Sequence, residues 1–377
     1  MGALMKHLAS VLVVALAFLA GAGQAAAPAA ASTAATTGAT TAVAATTAGP
    51  TLAQMVGQKL VVRMDGLTPS ADLLGRIRRG EVGGVILFGS NITTRAALIA
   101  LTGKLRAAAA AGGQPRLLIA VDQEGGSVKR IPWAPPTLSP PQMGRIGSTS
   151  TARYQGAITG AALKGLGINV DFAPVADVPS STASFMYRAG RTWSFSSTLT
   201  AALSDAFASG LWSKGVVPSM KHFPGIGRSP YDTDQVAVTF WSSKATLAPA
   251  LRPYRTAISH HIPMIMLSNG RYMAYDTVNA AGWSHAISIG LLRAQLGFKG
   301  VTITDSLSGA AYSRGLATWT LAVRAARAGT DMILVTGSEA STRYDYQKLM
   351  AYASSGWISR TALEASYARI LALKAGL

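Results

Sequence analysis

The chain has 377 residues, 49% of them apolar, and 34 lysines and arginines against 16 carboxylates give it a net charge of +18. It contains no cysteine, which excludes a disulfide framework, a thiolate metal centre and a lipid-modified cysteine. The basic residues are dispersed, with no Lys/Arg-rich helix or interleaved aromatic platform, so the charge points away from nucleic acid. Attraction to anionic cell-wall polymers or membrane surfaces is the better reading.

In chain order, Lys6 precedes an almost wholly apolar run over 8–22, and Ala25, Ala26 and Ala27 follow. This order predicts a cleaved export signal over 1–27, and hence a secreted protein that its charge could hold at the cell wall. A membrane anchor is the alternative, but the apolar run is shorter than the roughly 20 residues a spanning helix needs. Residues 28–50 are mainly Ala and Thr with scattered Gly, too little apolar surface to offset ordering, and are expected to form a flexible tether. Residues 51–377 then form one domain.

Short apolar, β-branched runs recur over 60–64, 84–88, 117–122, 168–175, 216–222, 263–268, 300–305 and 332–336. Between most of them lie Ala/Leu-rich stretches of helical spacing, such as 94–111, 197–214 and 288–295. Continuous apolar strands alternating with helices imply an α/β fold with a parallel sheet under helices. Eight such units favour a closed (β/α)8 barrel, and no dinucleotide glycine fingerprint follows the first strand to support an open sheet.

Asp122, Lys221, His222 and Asp305 fall at the C-terminal ends of their strands, where such barrels collect catalytic groups. A single strand-end Asp is often a helix cap, but four ionisable groups at the ends of three strands fit an active site better. The run Lys221-His222-Phe223-Pro224-Gly225-Ile226-Gly227 delivers a cation and an imidazole to one point. A Gly/Pro-rich loop then brings Asp232-Thr233-Asp234 back over it, a gathering of polar groups suited to a ligand with many hydroxyls.

Four segments in order, 118–126, 169–178, 221–225 and 303–307, resemble the N-terminal catalytic barrel of glycoside hydrolase family 3. The likeness is to its single-domain β-N-acetylhexosaminidase branch, from about residue 51 onward. It implies retaining hydrolysis of β-linked sugars, with Asp305 as nucleophile and Asp122, Arg130, Arg191, Lys221 and His222 binding the sugar. The best substrate is a β-N-acetylglucosaminide from peptidoglycan or chitin. Asp171 and Asp177 would brace loops, and Glu124 would be structural. Neither a metal nor a cofactor is implied.

The sequence departs from that pattern at the acid/base. The branch ends its loop in Asp-Ser-His, where this chain has Asp232-Thr233-Asp234. Ile226 stands where a second loop histidine is usual, and Arg228 where an Asp is common. Asn269 stands where a strand-end histidine is frequent and keeps the capacity to contact sugar. Asp234, or Asp232, then becomes the candidate acid, because two neighbouring carboxylates cannot both ionise easily. The alternative is a catalytically impaired glycan-binding or regulatory protein on the same barrel.

Overall fold

The computed structural model describes residues 49–377; the export signal and all but the last two residues of the tether expected from the sequence lie outside the described residues. Each of the eight apolar runs contributes one barrel strand. These are β1 (Leu60–Arg63), β2 (Gly84–Ile86), β3 (Leu118–Val121) and β4 (Val170–Asp171), then β5 (Val217–Phe223), β6 (Met264–Leu267), β7 (Val301–Thr304) and β8 (Ile333–Val335). Neighbours in sequence are parallel neighbours in space from β1 to β7, and β8 returns to pair with β1. The remaining gap, between β7 and β8, closes through a parallel bridge from Ile303 to Met332. The Met332 amide there donates to the Thr302 carbonyl at 2.8 Å.

Strand periodicity explains both the core and the site. Alternate residues point into the barrel: Leu118 and Ala120, Val217, Met264 and Met266, Val301 and Ile303, Met332 and Leu334 form one buried inner cluster. The residues between them face the helices and form the outer apolar layer. Carrying the inward period one step further reaches Asp122 from Leu118 and Ala120, Lys221 from Val217 and Ser219, and Asp305 from Val301 and Ile303. The apolar stack thus ends in polar groups at its C-terminal rim.

Local chemistry sets the helices. Thr94 caps Arg95–Ala111 by accepting from the Ala97 amide, and Ser196 caps Ser197–Trp212 by accepting from Leu199. The segment Ala286–Gln295 is wound in the wider π pattern rather than as an ordinary α-helix. β4 is shorter than the 168–175 run. After Asp171 the regular pairing lapses until Val175, opposite Lys221, although Phe172 still donates to the Val121 carbonyl and Ala173 accepts from the Ser219 amide. Pro174, which has no N–H to donate to a ladder, lies inside that gap. Among the described residues no helix is long and apolar enough to cross a membrane.

Candidate active site

A cavity of about 310 Å³ opens at the C-terminal rim, lined among others by Asp122, Glu124, Arg130, Arg191, Lys221, His222, Asp232, Asp234 and Asp305. Of the nine residues assigned to the site from sequence, eight meet here. A larger recess of about 460 Å³ opens where β3 and β4 begin, but its lining has no Asp, Glu or His for acid–base chemistry.

One wall is a closed charge network. Lys221 Nζ lies 2.7 Å from both Asp122 Oδ1 and Glu124 Oε1. Arg191 grips Glu124 with two parallel bonds, Nε to Oε2 at 2.9 Å and Nη2 to Oε1 at 2.7 Å. Burial alone would raise the Glu124 pKa, but Arg191 and then Lys221 outweigh it and hold it down to about 2. Burial likewise opposes the charge on Lys221, and Asp122 and Glu124 overcome it to raise its pKa. Glu124 is therefore committed to these two cations, as the family pattern implied. Arg130 stands 3.7 Å from Asp122 Oδ2, at the base of a hairpin formed by Gln123–Gly125 and Val128–Lys129. That hairpin turns through Gly125 and Gly126, both at positive φ; a Cβ on Gly125 would also meet the Leu138 carbonyl oxygen at 2.9 Å.

His222 reaches the cavity differently. Successive strand residues should face opposite sides, yet Lys221 and His222 both line it, where the β5–β6 register shifts between Met220 and Phe223. The Lys221–His222 peptide is cis. Asp177, fully buried, holds the imidazole: its Oδ2 is 2.7 Å from His222 Nδ1, and its Oδ1 accepts from the Ile226 amide at 2.7 Å. Nε2 is left facing Asp305 Oδ2 at 3.9 Å. Asp177 thus braces both the histidine and the loop that follows. Asp171 accepts from the Gln123 amide at 2.9 Å, and burial pushes it up to about 8.

The opposite wall is acidic. The Asp232–Asp234 loop is folded over the cavity, and Asp232 Oδ1 accepts from the Asp234 amide at 3.0 Å. The close approach depends on Gly309 of the helix Leu307–Tyr312, where a Cβ would lie 2.4 Å from the Asp234 carbonyl oxygen. The Asp234 carboxyl is pushed well above the usual carboxylate range by desolvation first, then by the charges of Asp305 and Asp232. Asn269 does not line the cavity. It is fully buried behind Asp234, donating from Nδ2 to Asp234 Oδ1 at 2.8 Å and to the Ser306 carbonyl at 3.0 Å. Its place at the end of β6 was legible in the sequence; its partner, 35 residues away, was not. Ser306 and Thr336 also line the cavity, their hydroxyls 2.6 Å apart. Sequence reasoning passed over both, although each follows a barrel strand.

An inward ring of strand-end carboxylates and cations stands at the C-terminal face of this eight-stranded parallel barrel, the face where such barrels carry their active sites. Residues 51–373 match the model of the glycosyl hydrolase family 3 N-terminal domain, and the chain belongs to that family. It is 33% identical over 335 residues to an uncharacterized secreted glycosyl hydrolase of Arthroderma benhamiae, covering 86% of this chain and 94% of that one. A solved family 3 β-N-acetylglucosaminidase from Paenibacillus sp. superposes with a TM-score of 0.82 at 31% identity, over 87% of this chain and 62% of the other. The β-N-acetylhexosaminidase of Beutenbergia cavernae superposes with a TM-score of 0.80 at 30% identity, over 86% of this chain and 99% of its own.

Proposed function

We propose that this protein is an exported, retaining β-N-acetylhexosaminidase in which Asp234 takes the acid/base role. The observation that carries the reading is a partly buried carboxyl, Asp234, which shares a cavity with Asp305 and has an elevated pKa. A retaining glycosidase needs one ionised carboxylate beside the anomeric carbon and one protonated group beside the leaving oxygen. Asp305 takes the first part: its carboxylate bonds to the anomeric carbon as the glycosidic bond breaks. Asp234 gives its proton to the departing oxygen. In the second half Asp234, now ionised, takes a proton from water whose oxygen displaces Asp305 and restores both groups. Asn269 serves both halves, since its bond to Asp234 Oδ1 leaves Oδ2 for the proton and steadies the anion afterwards.

Asp122, Arg130 and Lys221 line the same cavity and offer an acceptor and two donors to sugar hydroxyls. The names borne by the Paenibacillus and Beutenbergia relatives, a β-N-acetylglucosaminidase and a β-N-acetylhexosaminidase, support a β-N-acetylhexosaminide as substrate, and the fragment we propose is one of cell wall or chitin. Export is supported by the apolar N-terminal run and by the description of the Arthroderma relative as secreted. The test is to incubate the protein with an aryl β-N-acetylglucosaminide and follow the released sugar by proton NMR. The β-anomer should form first, and Asp305→Asn should abolish release. Binding without turnover at any pH would leave a glycan-binding protein instead.

A further inference from the structure

On the far side of the acid-bearing loop lies a recess of about 270 Å³. Asp234 faces the candidate active site, whereas Val238 and Thr239, a few residues on, line this second space. Its polar lining is cationic: Arg271, Arg314 and Arg324, with no carboxylate. Arg271 follows β6 and donates to the Thr239 hydroxyl from Nε and Nη2. Arg314 lies 5.1 Å over the ring of Trp283 and donates to the carbonyls of Asn269 and Ala310, each at 2.8 Å. These contacts aim the Arg271 and Arg314 guanidinium groups but do not neutralise them, and Arg324 is exposed. Among the described residues none of the three arginines forms an ion pair with a carboxylate, although Arg191 and Lys221 at this rim do. A smaller recess of about 220 Å³ shares Trp283 and Arg324 and adds Arg327, again without a carboxylate.

We propose that this arginine-lined groove binds an anionic group, a carboxylate or a phosphate, on the guanidinium forks of Arg271, Arg314 and Arg324. Two observations support it. Arg271 and Arg314, both half-buried, carry like charges that repel one another, and an anion is the species that relieves them. The planar guanidinium groups of Arg271 and Arg314, held by part of their donors, present the remaining N–H groups in the geometry that carboxylates and phosphates accept. Val238, Val278 and Leu321 add an apolar lining against which the uncharged body of a ligand can rest. The anion is either free or carried by a saccharide, and binding it requires no hydrolysis.

Calorimetric titration at low salt tests this, with the sugar cavity first saturated by N-acetylglucosamine. The probes are inorganic phosphate and N-acetylmuramic acid, which adds one carboxylate to the same sugar. Saturable one-site binding of either is expected, phosphate indicating a free anion and the muramic acid a sugar-borne one. The double variant Arg271→Gln/Arg324→Gln leaves the backbone contacts of Arg314 in place. It should weaken binding at least about tenfold, the value of one lost charge-assisted hydrogen bond. Arg106→Gln/Lys164→Gln removes equal charge from the opposite end of the barrel and should leave affinity within about twofold, a bulk-charge effect only. No saturable binding of either anion, or equal losses in the two double variants, would overturn the proposal. Neither result bears on hydrolysis, so the catalytic reading stands or falls separately.

Discussion

At the N-terminal end of the barrel, Lys59 donates at 2.8 Å to the Thr330 carbonyl and the Ser366 hydroxyl. Asp331 accepts there from Arg293, Arg369, Ser366 and the Thr302 amide, and Lys374 donates to Gln58 Oε1 and the Gly83 carbonyl. At the C-terminal end, Glu124, Lys221 and Arg191 are matched in the same way, but Asp234 and Asp305 share a cavity in which, among the described residues, no lysine or arginine bonds to either. Both ends bury charge; the difference is how completely partners are supplied. At the N-terminal end Lys59 and Lys374 are struts whose hydrogen bonds are met by the protein. At the open end the unmatched carboxylates have work left for a ligand or a proton.

The sharpest way to break that contrast is to remove the acidic mismatch. Asp234→Asn should cut hydrolysis of a natural disaccharide by about 10²–10⁴-fold, the usual contribution of an acid/base group. An activated aryl glycoside, whose leaving group needs little protonation, should lose less. The wild-type rate should fall as pH rises through the elevated Asp234 pKa, because the proton donor is lost, and that alkaline limb should vanish in the variant. Equal losses on both substrates with an unchanged pH profile would assign the proton to another group.

Next in size is the matched wall. Arg191→Ala leaves Glu124, 2% exposed, with Lys221 as its remaining cation. Breaking a buried pair from one side typically costs about 3–5 kcal/mol, to be read from denaturant midpoints. A change under about 1 kcal/mol would mean that water reaches Glu124 and that the wall is not closed.

The smallest effect compares the two ends by pH. Lys374 is lowered to about 7 by burial, below its unfolded value. Between that pH and the unfolded pKa the unfolded chain binds more protons, so the lysine makes stability rise with pH across this window. Asp171, raised to about 8, does the reverse: the folded chain binds more protons from about pH 4 to 8, so stability falls as pH rises. Lys374→Met should flatten the first slope and Asp171→Asn the second, each by at most about 1.4 kcal/mol per pH unit. Thermal midpoints measured from pH 5 to 10 would reveal a shared sign, which would contradict the comparison.

How much was legible depended on range along the chain. Eight apolar runs marked eight strands because a strand buried on both faces writes its burial into four or five consecutive residues. The same period placed Asp122, Lys221 and Asp305 at the rim. His222 breaks the alternation and was legible from its place at the strand's C-terminal end. Asn269 was located correctly at the end of β6, yet its amide turned out to hold Asp234 and Ser306 behind the cavity wall.

The order of elements and their inward-facing residues were therefore determined by the sequence alone, since they follow from hydrophobic period and turn chemistry over a few residues. Barrel closure decided the rest. It brings Lys221 to Asp122 across 99 residues and Arg191 to Glu124 across 67. It also packs the Asp232–Asp234 loop against Gly309, so that an aspartate in the loop becomes a desolvated acid beside Asp305. A carboxyl's pKa is set by what surrounds it in space, and no local pattern carries that information.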